Sequence, residues 1–265
     1  KSIKMGLFDC LKTTHTIGAL PAQIISSRQE CEITKTGLVA ELLKVPRAKR
    51  DDAWYSSFYE NIATASFRCS SPQILAGTDG FPYFILNTPE PDKPFESFCI
   101  KNMTEDFLLN NGWGVVFNPA EDRSADWVFT YGAIVNYHLH KSFWSPTADA
   151  AKANIAFEKN VGSIQKAEKV MIAQPSEDYL PNATRHAIKI FLQSKGIKTP
   201  KMMMITSEAE GTVSRKLALN INSEDYPVVS KLDFLMQQIG WFLPNNYLLV
   251  PVSKHSELAC GFHNM

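Results

Sequence analysis

Four acid–base side chains are the candidates for catalysis that the sequence offers: Asp79, Asp126, His138 and His140. Carboxylates and imidazoles serve as general acids and bases near neutral pH, and a hydrolase or transferase can assemble its site from residues that lie far apart in the chain. No nucleophile motif, phosphate-binding glycine loop or H-E-x-x-H pair accompanies them. The alternative hypothesis is therefore a hydrolase or transferase whose site is assembled from scattered residues without a recognisable motif, and no cofactor is expected.

Two of these histidines also raise the question of a metal site. In Tyr137-His-Leu-His140 the imidazoles stand two residues apart, so they would share one face of a β-strand and diverge on a helix. No carboxylate or cysteine stands at a recognisable ligand spacing from them. We therefore interpret both as ordinary surface or half-buried histidines, and we expect no bound metal.

Aromatic residues are dense between residues 113 and 144. Trp and Tyr anchor many protein interfaces, so Trp127, Tyr131 and Trp144 are candidates for contact with a protein partner. Core packing is the alternative for the first two, because alternation along the run 126–131 turns some of its rings inward. The leading hypothesis is a non-enzymatic protein that acts by binding another macromolecule.

Composition excludes several classes of protein. The chain has 265 residues, 45% of them hydrophobic, with 27 Lys and Arg against 27 Asp and Glu, so it lacks the basic excess of a nucleic-acid binder. No apolar run approaches the ~18 residues of a membrane-spanning helix, and no signal peptide is evident, so we expect a cytoplasmic protein without membrane contact.

The five cysteines include no C-x-x-C pair, which indicates reduced thiols. The basic run at 44–50 precedes Asp51 and Asp52, which favours a solvated linker.

The first part of the chain predicts a mixed α/β module. Trp54, Phe58 and Ile62 recur at helical spacing behind two aspartates, which predicts a helix at 51–63. Strands at 65–69 and 82–86 flank a turn at 78–80 and predict a hairpin. The elements predicted after the hairpin are a helix at 104–112 that Gly112 ends, a strand at 113–117 and an apolar run at 126–131.

The last part of the chain shows the order β-α-β-β-α-β. This order is typical of the split βαβ (ferredoxin-like) fold, in which an antiparallel four-stranded sheet carries two helices on one face. The other face would be free to pack or bind, and a homodimer through this sheet is one use of it. The fold class is thus α+β, with a first domain at 1–145, a connection at 146–168 and a second domain at 169–265. The predicted strands are 169–173, 202–205, 217–221 and 247–252, and the predicted helices are 181–195 and 228–243.

Short motifs in both modules carry a family resemblance. The first module contains Phe58-Tyr-Glu-Asn-Ile62, Asp79-Gly-Phe-Pro-Tyr-Phe84 and Leu109-Asn-Asn-Gly-Trp-Gly-Val-Val-Phe-Asn-Pro119, and the second contains Tyr179-Leu-Pro-Asn-Ala-Thr-Arg-His-Ala187 and Phe191-Leu192. Through them, residues 51–252 resemble the SseB family, which is named for enhanced serine sensitivity. The resemblance implies a cytoplasmic bacterial protein without an established catalytic activity, so it supplies no catalytic residues. An unknown protein partner is the expectation that follows.

Overall fold

The structure is a computed structural model that describes residues 31–122, 124–143, 169–209, 212–222, 225–226, 228–252 and 257–265. The chain divides into two compact units between Ile134 and Val135. The predicted connection at 146–168 lies outside the described residues. Six helices and two mixed sheets within the described ranges confirm the α+β class.

Two helices open the first unit, α1 (Ile33–Lys44) and α2 (Asp52–Ile62). The second confirms the helix predicted at 51–63. Asp51 caps it, because its carboxylate accepts a hydrogen bond of 2.8 Å from the backbone N–H of Trp54. The predicted stripe of Trp54, Phe58 and Ile62 is buried.

The first sheet has the strand order β1 (Arg68–Ala76), β2 (Pro82–Asn87), β3 (Gly114–Phe117) and β4 (Trp127–Phe129). The predicted hairpin is present, since β1 and β2 are antiparallel neighbours, but its first strand is Arg68–Ala76 and not 65–69. The pair β2 and β3 is parallel, and the pair β3 and β4 is antiparallel. The register therefore places Phe84, Val115 and Phe129 on one face, and Tyr83 and Gly114 on the other.

A helical segment joins the two parallel strands. It begins as the α-helix α3 (Ile100–Met103), passes through a π-helical stretch (Thr104–Leu108) and ends with Leu109–Asn111. It starts four residues before the predicted helix at 104–112. The predicted glycine stop is confirmed, because Gly112 takes the left-handed conformation with φ of 67°.

The segment after β4 forms a helix, α4 (Tyr131–His140), so His138 and His140 lie on a helix and not on a strand. The division between the two units falls within this helix. Among the residues that the structure describes, no helix has the length and apolar character needed to cross a membrane.

The second unit contains the predicted element order. It comprises β5 (Lys169–Ala173), α5 (Asn182–Ser194), β6 (Lys201–Ala209), β7 (Thr212–Leu219), α6 (Val229–Gly240) and β8 (Leu248–Pro251), followed by a 3₁₀-helix (Glu257–Gly261) and β9 (His263–Asn264). The strands lie side by side in the order β5, β6, β7 and β8, and β9 pairs with β6.

The predicted split-βαβ arrangement is not confirmed. Strands β5 and β6, which flank α5, are direct antiparallel neighbours, whereas a split βαβ unit has parallel strands with another strand between them. The prediction of a wholly antiparallel sheet is wrong for the last pair, because β7 and β8 are parallel. The connection through α6 is long enough for the crossover that parallel neighbours require.

The sheet face that we expected to be open is covered in part by the end of the chain. Leu258 and Phe262 pack against a cluster on β5 to β8 whose buried members include Met203, Ile205 and Ala218. A Cβ atom on Gly261 would lie 2.5 Å from Cγ2 of Ile172, so the 3₁₀-helix sits directly on the sheet. The opposite face is buried at its centre, since Met202, Leu217 and Leu219 are at most 1% exposed, whereas Met171 at its β5 edge is 61% exposed. The homodimer through this sheet stays a prediction, and the part of the face that Leu258 and Phe262 cover is not free for it.

Candidate functional site

Three aromatic rings at the surface of the first unit form what we call the aromatic patch: Tyr55, Tyr59 and Trp127. The two tyrosines stand one turn apart on α2, and Trp127 begins β4. The centroid of the Trp127 ring lies 6.2 Å from that of Tyr55 and 6.1 Å from that of Tyr59. The tyrosine rings are themselves stacked at 6.1 Å. The patch is thus one contiguous aromatic surface built by a helix and a strand.

Buried rings hold the patch from below. Trp127 lies 4.9 Å from Phe58 and 5.5 Å from Trp54, and it also contacts Phe129 at 5.9 Å. Phe58 and Phe129 are stacked at 6.2 Å, which joins the helix to the sheet. Ring contacts of this kind stabilise beyond simple area burial and leave few alternative rotamers. The exposed parts of the patch are therefore preorganised.

The patch is exposed to a degree that suits binding. Tyr55 is 37% exposed, and Tyr59 and Trp127 are half-buried. Burial raises the pKa of Tyr59 to about 12, and the neighbouring Tyr55 adds to this effect. The Tyr59 hydroxyl is therefore neutral at neutral pH and can both donate and accept a hydrogen bond.

Arg50 fixes the edge of the patch. Its guanidinium donates hydrogen bonds to the backbone oxygens of Leu43, Val45 and Asp126, at 3.1, 2.9 and 3.2 Å. The same group lies 4.4 Å from the centre of the Trp54 ring and 5.5 Å from that of Trp127. The interpretation of residues 44–50 as a solvated linker is wrong for Arg50, which closes the end of α1 and ties it to the start of β4.

The three partner-binding residues predicted from the sequence have different outcomes. Trp127 lies in the patch. Tyr131 is fully buried and donates a hydrogen bond of 2.9 Å to the backbone oxygen of Leu109, so its assignment as a contact residue is wrong. Trp144 lies outside the described residues. The sequence prediction missed Tyr55 and Tyr59, although their spacing of four residues on the polar side of α2 was a usable signal.

Asp79 and Asp126, the two candidate catalytic carboxylates, support turns. The Asp79 carboxylate accepts hydrogen bonds from the Phe81 N–H at 3.0 Å and from the Tyr83 hydroxyl at 2.5 Å. Asp126 accepts one of 2.7 Å from the amide of Asn118, whose φ of 47° is left-handed. Both carboxylates therefore have structural roles that account for their positions.

The two candidate histidines point to different sides of one helix. His138 and His140 lie on α4, where two residues correspond to a rotation of about 200°. His140 is exposed and His138 is half-buried. Within the described ranges, no three residues of the types His, Cys, Asp and Glu are grouped so that they could hold a metal ion.

A small pocket adjoins Asp79 on the other face of the first sheet. Its volume is about 120 Å³, and its walls include Leu75, Tyr83, Val116 and Val128. Pockets that hold a drug-sized ligand are typically about 300–1,000 Å³. The pocket is therefore too small for such a ligand.

Comparisons with protein-family models, with curated proteins and with solved structures find no match for this chain.

Proposed function

We propose that this protein acts without catalysis, by binding another protein through the aromatic patch. The observation that carries the proposal is the contiguous surface of Tyr55, Tyr59 and Trp127, which is partly exposed and held by buried rings. Rigid aromatic side chains lose little conformational entropy on binding and supply large contact areas, which is why Trp and Tyr dominate binding hot spots.

The kind of partner follows from the chemistry of the patch. Its centre is apolar ring surface, and the exposed Tyr55 brings a hydroxyl that can form a hydrogen bond with a partner's backbone. Arg50 does not add a free cation, because its guanidinium is bonded to three backbone oxygens. A partner segment with an apolar or aromatic side chain flanked by exposed backbone groups fits this surface.

The alternative, a hydrolase or transferase, receives less support. Asp79 and Asp126 are each bonded to the turn that they stabilise. His138 and His140 diverge on their helix. A general acid–base pair needs two groups that reach one reacting atom, and nothing observed in the described residues favours one.

Membership of the SseB family, and with it a cytoplasmic bacterial setting, is a further proposal that rests on the quoted motifs. In the structure, residues of these motifs have structural places: Phe58 is buried in α2, Asp79 holds the hairpin turn, and Gly112 ends the helical segment before β3. These motif residues stabilise the fold. Another protein of the SseB family would share this fold and, on this proposal, the role in binding a protein partner.

The test compares two exposed aromatic residues. Proteins captured from source cells by the full-length chain are identified by mass spectrometry, and the affinity of each purified candidate is then measured for wild type, Tyr55→Ala and Phe234→Ala. Phe234 is the matched control, because it is 61% exposed but lies on α6 in the other unit. We expect Tyr55→Ala to weaken binding roughly tenfold or more, while Phe234→Ala binds like wild type.

Two results would contradict the proposal. One is a partner that binds Tyr55→Ala and a Tyr55→Ala/Tyr59→Ala double variant as tightly as wild type, with circular dichroism showing both variants folded. The other is turnover of a defined substrate class by the purified protein. Light scattering on the complex identifies a second copy of this chain if that is the partner.

A further inference from the structure

Two thiols that are distant in the sequence meet in the first unit. Cys31 lies just before α1, and Cys99 lies just before α3. The two thiols lie close enough for the Cys31 side chain to raise the pKa of the Cys99 thiol. Asn102 lies one turn after Cys99 on α3, and its side-chain nitrogen lies 3.8 Å from the Cys31 sulfur.

The backbones on both sides are anchored to the same turn after α2. The N–H of Glu32 donates to the oxygen of Thr64 at 2.7 Å, and the N–H of Lys101 donates to the oxygen of Ala63 at 2.9 Å. The residues next to Cys31 and Cys99 are thus fixed to adjacent positions of one segment. The backbone therefore brings Cys31 and Cys99 into the same part of the first unit.

The two cysteines differ in access. Cys31 is half-buried, whereas Cys99 is 2% exposed. Burial and the neighbouring Cys31 side chain raise the pKa of the Cys99 thiol to about 12. A reagent from solution therefore reacts with Cys31 first, because Cys99 is buried.

We propose that Cys31 and Cys99 form a thiol–disulfide exchange site, which a low-molecular-mass disulfide such as oxidised glutathione converts into an internal disulfide. The Cys31 thiolate attacks one sulfur of the reagent, which forms a mixed disulfide and expels one thiolate that takes a proton from water. Cys99 then loses its proton to water, attacks the Cys31 sulfur and expels the second thiolate. Two protein thiols are oxidised and one reagent disulfide is reduced to two thiols.

The cross-link would join the start of α1 to the start of α3. The disulfide closes a long loop of the chain, from residue 31 to residue 99. This constraint lowers the conformational entropy of the unfolded state and so stabilises the folded state. We expect the oxidised protein to show a Tm higher by roughly 5–10 °C, and dithiothreitol to reverse the change. This site is independent of the proposed partner binding.

The experiment uses the full-length wild-type protein. The folded protein is incubated with oxidised glutathione, quenched with acid, alkylated and digested, and disulfide-linked peptides are mapped by mass spectrometry. The expected product is a peptide pair linked through Cys31 and Cys99. Cys260, which is exposed, serves as an internal control because it should take a glutathione adduct under the same conditions.

Variants separate the two steps. Cys99→Ser should accumulate a glutathione adduct on Cys31, because the resolving thiol is absent. Cys31→Ser should leave Cys99 reduced, and Cys69→Ser, which changes a half-buried thiol elsewhere, should form the cross-link like wild type. The proposal is overturned if wild type keeps both Cys31 and Cys99 available for alkylation, or keeps a lasting adduct on Cys31, while Cys260 is modified.

Discussion

The guanidinium of Arg50 lies 4.4 Å from the centre of the Trp54 ring and donates a hydrogen bond of 2.9 Å to the backbone oxygen of Val45. A single side chain thereby closes the end of α1 and packs on the first turn of α2. Its third contact, with the backbone oxygen of Asp126, reaches the residue before Trp127. The position of the aromatic patch depends on this arginine.

We expect Arg50→Ala to lower the free energy of unfolding by about 2 kcal/mol, because it removes three charge-assisted hydrogen bonds and a cation–π contact. Arg50→Lys should recover less than half of the loss, since an ammonium group cannot reproduce the planar fork. Urea unfolding measures the change. Arg47→Ala is the control, because Arg47 makes one exposed hydrogen bond to Ala125, and its cost should stay below about 0.5 kcal/mol. Equal costs for the two alanine variants would contradict this account.

Asp79 and Tyr83 should behave as one structural pair. The Tyr83 ring is confined between two glycines, since a Cβ atom on Gly77 or Gly114 would lie 2.6 or 2.7 Å from it. The hydroxyl is therefore held at the Asp79 carboxylate. We expect Asp79→Asn and Tyr83→Phe each to cost about 1 kcal/mol, and the double variant to cost no more than the larger single cost. Strictly additive costs in a double-mutant cycle would show that the two side chains do not support each other.

Local signals in the sequence were enough to predict the elements whose patterns are strong. Asp51 and the spacing of Trp54, Phe58 and Ile62 predicted α2, because a capping carboxylate and one apolar stripe suffice to define a helix. Helix α4 was missed for the opposite reason. Its residues 131, 132 and 134–137 are all buried, so no polar face marks a helical period.

Contacts between distant parts of the chain could not be predicted. The element order of the second unit was correct, but strand order depends on which edges pair, and the parallel pairing of β7 and β8 has no local signal. The approach of Gly261 to Ile172 and the meeting of Cys31 with Cys99 are likewise long-range. In the candidate site, Trp127 was predicted, whereas Tyr55 and Tyr59 were missed, and their approach to Trp127 on β4 is a contact between distant parts of the chain.

Gly261→Ala should loosen the end of the chain from the second sheet. The added methyl would lie 2.5 Å from Cγ2 of Ile172, closer than any normal contact. We expect amide hydrogen exchange in the 3₁₀-helix (Glu257–Gly261) and in β9 to become roughly 5–30 times faster, which corresponds to about 1–2 kcal/mol. Gly240→Ala is the matched control, because no atom lies within 4 Å of its added methyl. Gly240→Ala should leave amide exchange in the 3₁₀-helix and β9 unchanged. Equal exchange rates in the two variants would contradict the close contact between Gly261 and Ile172.

The half-buried Tyr59 should make the first unit less stable at high pH. Burial raises the pKa of Tyr59 to about 12 in the folded protein, against about 10 in the unfolded chain. Between these two pKa values the unfolded state binds fewer protons than the folded state. The contribution of the Tyr59 hydroxyl to stability is therefore complete below about pH 9 and is lost as the pH rises toward 12. Urea unfolding at about pH 8 and about pH 11 should show a smaller loss for Tyr59→Phe than for wild type. Part of the loss should remain, because burial also raises the pKa of Tyr179 to about 12.

Tyr55→Phe is the control, because it removes the hydroxyl of a more exposed tyrosine from α2, the helix that carries Tyr59. A loss for Tyr59→Phe as large as that of wild type would mean that this hydroxyl has no part in the alkaline destabilisation.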